Sequence, residues 1–121
     1  MREIKFRAWL WDERELHYVL KMDTVNNGYG KVWMIDTFHY KNISHFGLMQ
    51  FTGLNDKNGV EIYEGDICSN EVAKWEVIFD TGCFCGKRIG GSDGTQNIHL
   101  ALRAIRELSV IGNIHENPSL I

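Results

Sequence analysis

A chain of 121 residues with a formal charge of -3 falls just short of one domain at about 150 residues per domain. Hydrophobic residues at 44% and charged residues at 24% exclude wholesale disorder, because enough apolar surface exists to offset chain entropy. The mild acidity argues against a protein that coats DNA, and no apolar run approaches the roughly 20 residues of a membrane-crossing helix.

The opening segment alternates with period two, as a strand does. Ile4, Phe6, Ala8 and Leu10 point one way, and Lys5, Arg7, Trp9 and Trp11 the other. Asp12 to Glu15 form a polar turn, and residues 16–22 return as a second strand. Asn26, Asn27 and Gly28 tolerate the positive φ of a hairpin reversal, so residues 31–35 are expected as a third strand. Residues 36–47 show no clean period.

Residues 48–52 read as a short strand, and Asn58-Gly59 is the strongest hairpin signal in the chain. Gly65-Asp66 marks a further corner. Residues 72–79 form a strand reversed at Asp80-Thr81-Gly82, and the glycine-rich stretch 86–97 reads as a mobile loop. The one convincing helix covers about 98–108. Its expected buried face is Ile98, Leu102, Ile105 and Leu108, and its expected cap is Thr95 or Asn97. Residues 110–114 close the fold as a strand, stopped by Asn117-Pro118.

Chemical motifs are sparse. Cys68, Cys83 and Cys85 form an odd set without framework spacing, which disfavours structural disulfides. With His99 they offer four soft ligands to zinc, but the spacing between Cys83 and Cys85 is shorter than that of a zinc knuckle. Plain packing of small thiols is the stronger reading, and no metal or cofactor is expected. Gly82-x-x-x-Gly86-Lys87-Arg88 is one residue short of a phosphate loop and lacks its hydroxyl residue. Asp56, Glu61, Glu64 and Asp66 could act as acid and base or hold a divalent cation. Asp56 and Asp66 are better suited to accepting hydrogen bonds from turn amides.

The face made by Lys5, Arg7, Trp9 and Trp11 is the best binding candidate, with Lys87 and Arg88 at the head of the 86–97 loop. Cations interleaved with flat rings suit a protein interface or single-stranded nucleic acid. A core is the stronger reading, with the Trp rings buried and the Lys5 and Arg7 stems lying over them.

Three segments stand out together: Met1-Arg-Glu-Ile-Lys-Phe-Arg-Ala-Trp9, the run from Leu48 through Thr52-Gly-Leu-Asn-Asp-Lys-Asn-Gly59 to Glu64-Gly-Asp-Ile67, and Val110-Ile-Gly-Asn-Ile-His-Glu-Asn-Pro118. In this order they resemble the YopX family of phage and prophage proteins. The resemblance implies a β-rich fold with a small SH3-like barrel and a phage or prophage origin, and it brings no active site. Leu10-Trp11 intervenes before Asp12, where relatives place an acid directly after the tryptophan.

The expectation is therefore one mainly β (α+β) domain over 1–121. It comprises an N-terminal hairpin region of about 1–47 and a small, partly open barrel of about 48–121 with one helix near its end. The expected function is an accessory, non-enzymatic module that binds a host or phage protein. Nucleic-acid binding is the alternative, and a divalent-metal enzyme using the acidic cluster is a distant third. An edge strand permits self-association. Charges in Met1-Arg-Glu-Ile-Lys-Phe-Arg7, where a signal peptide needs apolar residues, point to the host cytoplasm and away from membranes.

Overall fold

A computed structural model describes residues 4–19, 21–26, 31–34, 40–42, 46–90 and 97–121, with backbone alone from 21 to 46. The chain is mainly β, with 54% strand and, among the described residues, one α-helix. Its contacts divide it into two compact units, Ile4–Gln50 and Phe51–Ile121.

In the first unit, β1 (Phe6–Leu10) lies between β2 (Glu15–Tyr18) and the start of β6 (Phe46–Asn55), antiparallel to both. The β1–β2 reversal occupies residues 11–14. Arg14 takes a positive φ of 53° there and donates its amide to the Leu10 carbonyl at 2.8 Å. Ala8 and Leu10 are fully buried and pack with Val19 and Leu48. The expected single strand 16–22 is two. The chain leaves the first sheet after Val19, whose amide still bonds the Phe6 carbonyl, and β3 (Lys21–Asn26) joins another sheet. That sheet has the order β3-β4-β5, with β4 at Lys31–Met34 and β5 at Tyr40–Asn42. Asn26 pairs with Lys31, so the predicted hairpin exists, although its tip lies outside the described residues.

The second unit opens with the end of β6, where Phe51 pairs with Tyr63 and Asn55 with Glu61 of β7 (Glu61–Tyr63). The register slips between those pairs, around Gly53 at φ 83°. The Asn58-Gly59 reversal is not a two-residue turn: only Gly59 has positive φ, at 83°. Residues 57–59 form the three-residue loop in which a type I turn ends on a left-handed glycine, closed by Asp56 N–H to the Val60 carbonyl at 2.8 Å.

A curled, half-barrel sheet follows, in the order β11-β10-β9-β8-β12. Its strands are β8 (Asp66–Ser69), β9 (Lys74–Asp80), β10 (Cys83–Ile89), β11 (Ile98–His99) and β12 (Ser109–Asn113). Thr81 and Gly82, at φ 51° and 80°, make the two-residue turn between β9 and β10, where the sequence places it. The expected mobile loop is a correction in part. Residues 86–89 are strand, paired with β9 through Ile89, and 91–96 lie outside the described residues. Gly86 belongs in the strand because a Cβ there would sit 2.9 Å from both Trp75 Cβ and Ile98 Cγ1.

Helix α1 spans Leu100–Glu107. Its start corrects the expected cap: His99 occupies the N-cap, without a side-chain bond. The buried face is corrected in part, since Leu108 is buried as expected and Ile98 packs against the core from its strand. Leu100, Ala104 and Leu108 enter the core beside Ile62, Trp75, Val77 and Phe84, whereas Leu102 and Ile105 are exposed at 69% and 68%. Two apolar stripes at helical spacing coexist in this sequence. Pairing of Ile98 with Gly86 holds the first residue of the other stripe in a strand, so the helix begins at Leu100 and turns that residue's stripe inward.

Candidate functional site: an apolar groove along α1

The predicted basic–aromatic face does not stand free in solvent. Arg7 and Trp9 are 6% and 8% exposed, Lys5 is half-buried, and of the four only Trp11 is exposed. As the central strand of β2-β1-β6, β1 is buried continuously from Arg7 to Leu10, so alternation does not leave one side to water. The Arg7 Nη2 reaches Met49 Sδ at 3.7 Å, a cation lying along an apolar thioether. Lys87 and Arg88 are successive residues of β10 and therefore project to opposite faces. Lys87 is exposed and Arg88 half-buried.

Of the soft-ligand candidates, three share one face of the sheet and Cys68 stands apart. Cys85 lies opposite His99 in the β10–β11 pair, and Cys83 shares their face. Cys68 is fully buried in the core of β8. Burial, then the charges of Asp66 and Asp56, push its thiol from 9.0 up to about 12, so it stays protonated and inert at neutral pH. Burial foremost also raises the Cys85 thiol. Among the described residues, no three His, Cys, Asp or Glu are grouped so as to hold a metal ion.

Of the four acidic residues, Asp56 and Asp66 serve the backbone, while Glu61 and Glu64 are half-buried. Asp56 Oδ1 accepts the Asn58 and Val60 amides at 2.8 and 2.9 Å, and Oδ2 accepts the Val110 amide at 2.9 Å. Asp66 Oδ2 accepts the Tyr63 amide at 2.8 Å across the corner at Gly65. Both aspartates are 1% exposed, committed to turns and withdrawn from solvent, as turn chemistry predicts.

The unpredicted feature lies along α1. A cleft of about 300 Å3 opens between residues 52–54 of β6, Phe79 and Phe84 at the β9–β10 turn, and Ala101. A second, of about 320 Å3, continues from Gly53, Leu54 and Ala101 to Ala104 and Ile105. Apart from His99, no side chain with a titratable nitrogen or carboxylate lines either cleft. Phe79, packed edge-on against Phe84 at 5.0 Å between ring centres, is 55% exposed on the rim. The sequence signal for this groove is Ile105, which pattern reasoning assigns to the core with Leu102.

Comparison with known proteins identifies the chain. The model of the YopX protein family matches residues 5–121. The chain belongs to the YopX family. Among solved structures it is similar to protein EF1440 from Enterococcus faecalis, at 25% identity and a TM-score of 0.63, with 99% of each chain covered. No curated protein matches.

The segments that carry the YopX resemblance have structural work in this fold. The central one builds the end of β6, the Asp56 loop and the Asp66 corner. In the C-terminal one, Asn113 Oδ1 accepts the His115 and Glu116 amides at 3.0 and 2.9 Å. Asn117 Oδ1 accepts the Asn113 amide at 3.1 Å. A Cβ at Gly112 would fall 2.4 Å from that same Asn117 oxygen, so glycine there lets the C-terminal turn close on β12. These segments make a scaffold of satisfied turns, and residues 52–55 of the central one line the groove.

Proposed function

We propose that this YopX-family chain is a non-enzymatic accessory module of a phage or prophage, working in the host cytoplasm, and that it binds a protein through the groove along α1. The observation that carries the reading is the exposure of Ile105 at 68% on the wall of one of two clefts that share Gly53, Leu54 and Ala101, with Leu102, 69% exposed, three residues before it on the same helix. Exposing two large aliphatic side chains next to each other forgoes about 1.5–3 kcal/mol of burial each, and an apolar partner recovers it. A lining almost without charge calls for an uncharged occupant. Each cleft is large enough for one bulky apolar side chain, so an extended or helical peptide with two such anchors fits.

The basic–aromatic reading of the first strand gives less support, since Arg7 and Trp9 are buried. Nucleic-acid binding rested on that same face, and it is the protein reading that the groove favours.

The test places a photo-crosslinking amino acid at position 101 or 105, which line the clefts, in the cell that produces the protein, with position 72 as the control. Val72 is 83% exposed and lines neither cleft. A discrete adduct from 101 and 105 that is absent from 72 and weakened by Phe79→Asp is expected. An adduct of twice the chain's mass identifies a second copy as the partner. Equal adducts from all three positions, or none, overturn the proposal.

A further inference from the structure

A third cleft, of about 390 Å3, opens at the far end of the half-barrel sheet and shares no lining residue with the groove. Its wall includes Ser69, Asn70 and Glu71 at the β8–β9 turn, Lys74 on β9, and Arg88 on β10. The geometry points to this cleft as a binding site for a small oxyanion, a carboxylate or a phosphate.

The reason is an imbalance of donors over acceptors. Arg88 Nε is buried and has no hydrogen-bond partner, and among the described residues no carboxylate pairs with the guanidinium. Natural proteins seldom leave a buried donor of a charged group unsatisfied, because its desolvation is then uncompensated. Asn70 is spent on its acceptor side: Oδ1 takes the Val72 and Ala73 amides, both at 2.8 Å. That bonding fixes the carboxamide and leaves the Nδ2 hydrogens as donors. Lys74 adds positive charge to the wall, with Nζ donating to the Leu120 carbonyl at 2.8 Å. Glu71, exposed on the turn, is the one acid in the lining.

Two cations, one acid and an oriented amide donor therefore favour a ligand that accepts hydrogen bonds and carries negative charge. A planar carboxylate or a phosphate both meet the guanidinium fork. The volume admits such a group with part of the molecule that bears it.

The test follows the Arg88 Nε–H signal by NMR while inorganic phosphate or acetate is added to the whole chain, with sodium chloride at matched ionic strength as the control. Burial shields that hydrogen from exchange, and Arg88→Gln assigns the signal by deleting it. Asn70→Asp is the decisive variant. It keeps the oxygen that receives the Val72 and Ala73 amides, and it replaces the donor by a negative charge. Saturable shifts with phosphate, acetate or both are expected, weakened about tenfold or more in Asn70→Asp. The tighter of the two ions names the group the ligand carries. Shifts reproduced by sodium chloride, no saturable shift with either ion, or unchanged affinity in Asn70→Asp overturn the assignment.

Discussion

Asp56 Oδ2 accepts the Val110 amide at 2.9 Å across 54 positions of sequence. With its other oxygen closing the 57–59 loop, one buried carboxylate holds a hairpin and the last strand of the half-barrel in place. Further backbone contact, from Lys57 N–H to the Leu108 carbonyl at 3.0 Å, joins the same two regions.

Substitution of Asp56 should therefore act on global stability. Asp56→Ala leaves three amides without their acceptor, and Asp56→Asn can offer an amide hydrogen where Val110 needs an oxygen. A loss of about 2–4 kcal/mol is expected for Asp56→Ala, read as a lower urea midpoint. An unchanged midpoint would mean that the three bonds are dispensable.

The helix register makes a paired prediction. Leu100→Ala removes a fully buried side chain and should cost about 2–5 kcal/mol. Ile105→Ala on the exposed stripe should stay within about 0.5 kcal/mol of the parent. Reversal of that order in thermal or urea unfolding would return Ile105 to the core.

Gly86→Ala should destabilise by about 1–3 kcal/mol through overpacking, because the new methyl meets Trp75 Cβ and Ile98 Cγ1 at 2.9 Å. Coupling to Ile98→Ala, which removes the Cγ1 that the methyl meets, should recover part of the loss. Additive losses in the double variant would locate the strain elsewhere.

The Cys68 thiol sets an alkaline limit. Its folded pKa is raised from 9.0 to about 12 by burial and then by Asp66 and Asp56. Below pH 9 both folded and unfolded chains hold the proton, and the stabilisation is fully present. Between pH 9 and about 12 only the unfolded chain releases it, so stability falls as pH rises, by about 1.4 kcal/mol per pH unit at steepest. Cys68→Ala should flatten that part of the stability curve. In the native protein at neutral pH, a thiol reagent should modify the half-exposed Cys83 and spare Cys68. Equal labelling of the two would contradict the burial.

Much of the β architecture is readable in the amino-acid order alone. Period-two alternation over residues 6–10, the Asp80-Thr81-Gly82 reversal and the turn roles of Asp56 and Asp66 are local properties, encoded by neighbours within a few positions. The family resemblance of the terminal and central segments belongs with them.

Other features depend on distant partners. Alternation in β1 says that two faces differ, but whether Arg7 and Trp9 meet water depends on what covers each side of a central strand. The glycines after Cys85 look like a loop until Trp75 and Ile98 crowd Gly86 into a strand. Helical spacing marks two apolar stripes on α1, and only the pairing of Ile98 with Gly86 selects which one is buried. The apolar groove and the Arg88 cleft exist because of such selections: local sequence sets what each segment can form, while packing between segments far apart in the chain determines which surfaces are left open.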